Sequence, residues 1–166
     1  VFVYTRAITI QAPIQAVYDF HLNPHFIRHI LPSYQKVVSL EEPNQLKIGA
    51  EMKLMMQVYG WKQKWEIVWE DLQAPQGTPL RARMVDVARR SPFRAWRHLH
   101  LFSAIPGGTE LIDRLEYELP WGPVGRLAQP LMHLELDTMF RFRQRRTKLV
   151  LEEMLNPKHL TPDSKD

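Results

Sequence analysis

The chain has 166 residues, 45% hydrophobic and 24% charged, a balance that suits one soluble domain with a sizeable core. Cysteine is absent, which excludes disulfides, thiolate metal centres and cysteine nucleophiles. The formal charge of +4 is a weak steering field and no nucleic-acid-binding module is recognisable, so no nucleic-acid partner is expected.

No apolar run approaches the ~20 residues of a membrane span, and no signal-peptide-like run opens the chain. Cytoplasmic location is therefore the expectation. The excess cations cluster in "RFRQRR" (Arg141 to Arg146) and at Arg89-Arg90. They read first as a solvated helix face, and they leave open a peripheral contact with an anionic membrane.

The opening "FVYTRAITI" is β-branched and aromatic and predicts a strand over 2–10. "APIQAVYDF" then carries helical spacing, with Pro13 suited to a first helical position and Val17 and Phe20 on one face. "NPHFIRHI" restarts a short helix with Asn23 as N-cap and Pro24 at its first position. "YQKVVSLEE" predicts a second strand.

In "EMKLMMQVYGWKQKWEIVWEDL" the apolar residues Met52, Leu54, Met56 and Val58 occupy even positions. After Tyr59-Gly60 they move to the odd positions Trp61, Trp65, Ile67 and Trp69. Tryptophans at i, i+4 and i+8 also fit a helix. A two-residue hairpin turn at Tyr59-Gly60 accounts for the switch, because it pairs Val58 with Trp61 and puts both sets on one face. Tyrosine is a poor residue for the usual hairpin turns, so the turn type stays open.

"LRARMVDV" over 80–87 predicts a further strand. "FRAWRHLHLFSA" and "TELIDRLEYEL" predict a pair joined at "IPGG". In the second member Leu111, Asp113, Leu115, Tyr117 and Leu119 alternate with mostly charged residues, so Asp113 falls on the inner face. An even-length connection at Pro106-Gly107 would bring Trp96, His98, His100 and Phe102 inward, with His100 opposite or diagonal to Asp113. A bulged, odd-length one would turn Leu99 and Leu101 inward instead. The rest, from about Val124 to Leu155, is one helical pattern that Pro130 should kink or restart. Its apolar stripe is Ala128, Met132, Leu136, Met139, Phe142 and Val150, with Arg126, His133, Asp137, Arg141 and Lys148 opposite. The tail "NPKHLTPDSKD" is expected to be disordered, so the domain is placed over 1–155. Strands in series with a closing helix indicate an antiparallel α+β domain.

The blocks "IQAPIQAVYDFHLNPHF", "SPFRAWRHLHLF" followed by "GGTELIDRLEYELPWGPVG", and "MFRFRQRR" resemble the START-like superfamily known as SRPBCC. The second block is similar to its polyketide cyclase/dehydrase and coenzyme Q-binding-like branch. The resemblance covers essentially the whole chain. It implies a helix-grip fold, a curved antiparallel sheet of about seven strands around a long C-terminal helix. It also implies a mostly apolar cavity between sheet and helix for lipids, quinones or polycyclic compounds, with chemistry in some members.

On this reading Met52, Leu54, Met56, Trp61, Trp65 and Trp69 form an apolar wall, since tryptophan offers area and methionine adapts its shape. Trp96, Phe102, Met132 and Met139 join the lining, and His98, His100, Asp113, Gln63 and Tyr117 are candidate orienting groups. Binding, sequestration or transport of a hydrophobic small molecule is the first expectation, with no cofactor. A cyclase or dehydratase using His100 and Asp113 as proton handlers is the alternative. A third is an interaction module, a homodimer or a membrane-facing patch, built on exposed Leu99, Leu101 and Ile112. No metal site is expected: His98, His100 and Asp113 lack an evident fourth ligand, and Asn23-Pro24 interrupts the alignment of His21, His25 and His29. Dinucleotide, nucleotide-phosphate and serine-hydrolase motifs are absent.

Overall fold

A computed structural model describes residues 1–155; the expectation for the tail falls outside the described residues. Strand β1 (Phe2–Ile10) leads into helix α1 (Ile14–His21) and a 3-10 helix, Pro24–His29. Asn23 caps the latter, its Oδ1 accepting from the His25 backbone N–H at 3.1 Å. Six strands follow: β2 (Gln35–Glu41), β3 (Glu51–Val58), β4 (Trp61–Gln76), β5 (Arg81–Arg90), β6 (Ala95–Ile105) and β7 (Gly108–Glu118). Helix α2 (Gly122–Leu127) and helix α3 (Gln129–Met154) close the order.

The strands form one seven-stranded sheet in the order β1-β7-β6-β5-β4-β3-β2, with every neighbouring pair antiparallel. Consecutive hairpins build six strands in series, and β1 completes the edge beside β7. Helix α3 lies against the concave face and hydrogen-bonds β1: Gln144 Nε2 donates to the Arg6 carbonyl and Lys148 Nζ to the Thr9 carbonyl. This is the helix-grip fold.

Two expected turns take definite form. Tyr59 and Gly60 have φ of 48° and 87°, so the β3–β4 hairpin is a two-residue turn with both residues left-handed. A tyrosine in that conformation costs about 1–2 kcal/mol. Offsetting contacts are visible: its ring stacks on Tyr34 with centroids 4.6 Å apart, and its hydroxyl donates to Glu135 Oε2. The β6–β7 turn also has two residues, Pro106 and Gly107, closed by the pairing of Ile105 with Gly108. The parity is therefore even, and the register sets His100 directly opposite Asp113.

The C-terminal pattern divides at Ala128, and Pro130 sits at the start of α3, where its missing N–H does no harm. One part of the expected stripe is corrected. Helix α3 buries Leu136, Met139, Phe140, Gln144, Thr147 and Leu151, whereas Phe142 is 38% exposed and Val150 only half-buried. The face turns because two polar residues, Gln144 and Thr147, find partners or space inside, and a purely apolar periodicity excludes them.

The buried side chains form two clusters. One gathers Tyr4, Met52, Leu54, Met56, Trp65, Trp69, Trp96, Leu115 and Tyr117 under the first half of α3. The other gathers Ile10, Val17, Phe20, Met84, Phe102 and Leu111 around α1, with Leu151 from the end of α3.

Candidate functional site

Between the sheet, the 3-10 helix and α3 lies a cavity of about 370 Å³. That volume is near the lower end of the roughly 300–1,000 Å³ usual for small-molecule sites. Its apolar lining includes Met52, Leu54, Met56, Trp65, Trp69 and Trp96 from the strands, with Met132, Leu136 and Met139 from α3. Pairing of Leu54 with Trp65 and Met52 with Ile67 puts both halves of the β3–β4 hairpin on this face. Trp121 and Ala128, both exposed, mark the mouth.

Four expected site residues do not line it. Trp61 is paired with Val58 at the hairpin tip, beyond the edge of the core, and is 78% exposed. Phe102 is inward-facing but two positions too far along β6, so it fills the cluster under α1. Tyr117 is fully buried behind Phe93 and Phe2, whose rings pack against it. Asp113 is covered by the histidines and Gln144 and contributes through them. Gln63, Trp96, His98 and His100 do face the cavity.

One wall is polar. His98 and His100 project inward from β6, flanked by a carboxylate on each neighbouring strand. Asp113 on β7 pairs with His100 in register, and Asp86 on β5 pairs with His98. Asp113 Oδ1 accepts from His98 Nε2 at 3.1 Å and stands 2.8 Å from His100 Nδ1, the second contact being too bent for a full hydrogen bond. Its other oxygen, Oδ2, accepts from Gln144 Nε2 at 2.7 Å. Asp86 Oδ2 lies 3.6 Å from His98 Nδ1 and 3.7 Å from His100 Nε2. The two imidazoles thus sit between two carboxylates, with their ring centroids 4.0 Å apart.

His21 and Arg143 reach the same end of the cavity. His21 donates from Nδ1 to the Val17 carbonyl at 2.7 Å, which leaves Nε2 with its lone pair, and its ring lies 5.2 Å from that of His100. The Arg143 guanidinium stacks over Phe140 at 5.4 Å.

These surroundings separate the protonation states. Burial pulls His100 down, but its contacts with the Asp113 and Asp86 carboxylates outweigh it and push the ring up to about 9. Burial, and then the charge on His100, holds His98 below its usual value. The same two causes push His21 down to about 3. Burial alone would raise Asp113, yet its contacts with His100 and His98 hold it well below the usual carboxylate range. Near neutral pH the wall therefore combines one imidazolium, two neutral imidazoles and an ionised Asp113, a set able to hold and pass a proton.

Asp86, Arg143 and Gln144 escaped the sequence reading as cavity residues, and His21 was weighed there only with His25 and His29. For Asp86 a signal existed: Ala82, Met84 and Asp86 alternate with Arg81, Arg83 and Val85, the same parity that marks Asp113. The other three lie on helices, where inward orientation depends on how each helix is docked.

The fold and this cavity define a helix-grip protein with an internal, mostly apolar chamber and one ionisable wall. No family model matches the chain, and no curated protein matches it. Solved structures do. The chain is similar to the Zhui aromatase/cyclase from Streptomyces sp. R1128, with TM-score 0.74 and 9% identity over 95% of this chain and 97% of that one. It is also similar to the di-domain ARO/CYC StfQ of the steffimycin biosynthetic pathway, with TM-score 0.73 and 12% identity, covering 92% of this chain and 51% of that one. TTHA0849 from Thermus thermophilus matches at TM-score 0.64 and 21% identity, over 88% and 97% of the two chains. At these identities the likeness is one of fold.

Proposed function

We propose that this protein binds a hydrophobic small molecule of the lipid, quinone or polycyclic class in the cavity between its sheet and α3. The observation that carries this reading is the lining itself: an apolar surface of tryptophan and methionine with convergent polar groups at one end. Burial of the guest's apolar surface, at roughly 25 cal/mol per Å², supplies affinity, and Gln63, His98 and His100 orient a polar end. Native mass spectrometry and solvent extraction of untreated protein test it. A co-purifying apolar compound that Trp65→Arg removes is the expected result; a chamber that takes up no hydrophobic probe in either form rejects it.

A second reading is a cyclase or dehydratase of the aromatase/cyclase kind. It is favoured by the paired imidazoles and carboxylates on the cavity wall and by the fold shared with Zhui and StfQ. His100, holding a proton against Asp113, would give and take it at a bound carbonyl or hydroxyl. His100→Ala that keeps its fold and its full turnover of a polyketide substrate would remove that role. The surface-module reading finds less support at Leu99, Leu101 and Ile112, which are half-buried; exposed apolar side chains include instead Trp121, Val124, Leu127, Leu131 and Leu134.

A further inference from the structure

We infer that Asp86, His98 and His100 form a binding site for one divalent transition-metal ion, open toward the cavity. One donor atom from each residue lies within 4.8 Å of the other two. His98 Nδ1 and His100 Nε2 approach the same oxygen, Asp86 Oδ2, at 3.6 and 3.7 Å. Those separations are too long for hydrogen bonds. They are close to the spacing of atoms that share an ion at about 2.0–2.1 Å.

Asp113 supplies the second and independent argument. A carboxylate only accepts, so the 3.1 Å hydrogen bond puts the proton of His98 on Nε2, and the bent 2.8 Å contact turns His100 Nδ1 toward the same oxygen. The opposite nitrogens, His98 Nδ1 with its lone pair and His100 Nε2, both face Asp86. A metal ion among these three atoms takes the place of the proton on His100 Nε2, since ligating imidazoles must be deprotonated. An outer carboxylate that fixes the tautomer and orientation of ligating histidines is the usual support of such a site. Here Gln144 fixes the carboxylate in turn.

Access and charge agree with this assignment. Asp86, His98 and His100 all line the cavity, so the remaining coordination positions open toward a guest's carbonyl or hydroxyl oxygen. Two carboxylates balance the His100 imidazolium and the Arg143 guanidinium, so a metal ion that displaces the His100 proton enters a wall with one uncompensated negative charge. Two nitrogens and one oxygen, without sulfur, suit zinc, cobalt or ferrous iron rather than calcium or magnesium. His21 stands beside His100 but outside the converging trio. The sequence expectation of no metal took Asp113 as the third ligand; the structure makes it the support and Asp86 the ligand. This site stands whether or not the apolar part of the cavity holds a guest.

The test uses untagged, chelator-stripped protein titrated with Zn²⁺ against a chromogenic chelator, and with Co²⁺ followed by visible absorption. One ion per chain is expected. Asp86→Asn and His98→Ala should abolish binding, and Asp113→Asn should weaken it about 10- to 100-fold. The exposed pair His25 and His29, with ring centroids 6.4 Å apart, is the control, and its double alanine variant should bind as the wild type does. Should the buried variants fail to fold, the histidine nitrogen resonances of Zn²⁺-loaded wild type decide instead, with His98 Nδ1 and His100 Nε2 expected to shift. Absence of stoichiometric binding, binding that survives both Asp86→Asn and His98→Ala, or shifts confined to His25 and His29 would overturn the assignment.

Discussion

The β3–β4 wall of the cavity and the polar layer on β5, β6 and β7 are parts of one sheet, yet they are held by different forces. Met52, Leu54, Met56, Trp65 and Trp69 are stabilised by leaving water, and each is nearly interchangeable with another large apolar residue. Asp86, His98, His100, Asp113 and Gln144 are stable only as a set, because each group is the partner that makes burial of the next tolerable. The apolar wall should therefore be plastic, and the polar layer brittle.

The largest expected effect breaks the layer. Asp113→Ala leaves His98 without its acceptor, takes one of two from Gln144 and removes the charge opposite His100, and should cost about 3–5 kcal/mol in chemical unfolding. A loss below about 1 kcal/mol would mean that the layer is not a coupled unit.

Next comes a contrast within the apolar residues. Leu115→Ala, at a fully buried position away from the cavity, should cost about 2–5 kcal/mol. Met56→Ala, which faces existing space, should cost less than Leu115→Ala and should enlarge the range of hydrophobic probes bound. Equal costs would show that the wall packs as ordinary core.

The third expectation concerns pH, with divalent ions chelated. His100, raised to about 9, adds stability that is complete below pH 6.5 and is lost as pH rises from 6.5 through 9. His21, lowered to about 3, and His98, also lowered, act in the opposite sense: the unfolded chain takes up protons that the folded one refuses, so stability falls below pH 6.5. The melting temperature should therefore peak near pH 6.5, with an acid limb of up to two histidine protons, to which Asp113 adds below pH 3.8, and an alkaline limb of one proton between pH 6.5 and 9. In His100→Asn the alkaline limb should vanish, and its persistence would reject this account.

The smallest effect belongs to Trp61. Its exposed position at the hairpin tip predicts that Trp61→Ala changes stability by less than about 0.5 kcal/mol and leaves probe binding intact. A marked loss of binding would return it to the site.

Alternation along single strands determined much of this protein from sequence alone. The side-chain period of two fixed which residues of β3, β4, β6 and β7 share a face, and the Tyr59-Gly60 turn accounted for the parity of the β3–β4 hairpin, whereas the parity at Pro106-Gly107 stayed open. Alternation alone put His98 and His100 on one face of β6 and Asp113 on the inner face of β7; the two-residue turn seen in the structure brings those faces together. Tertiary structure decided what period and parity do not encode. How far along each strand the core extends separates Trp61 and Phe102 from the cavity, and the docking angle of α3 brings Gln144 and Arg143 inward instead of Phe142. The meeting of Asp86 with the two histidines depends on the register between β5 and β6, which are joined across Ser91 to Arg94, and nothing local to either strand sets it. Period is a property of one chain segment, whereas depth, register and docking belong to the assembled sheet and helix.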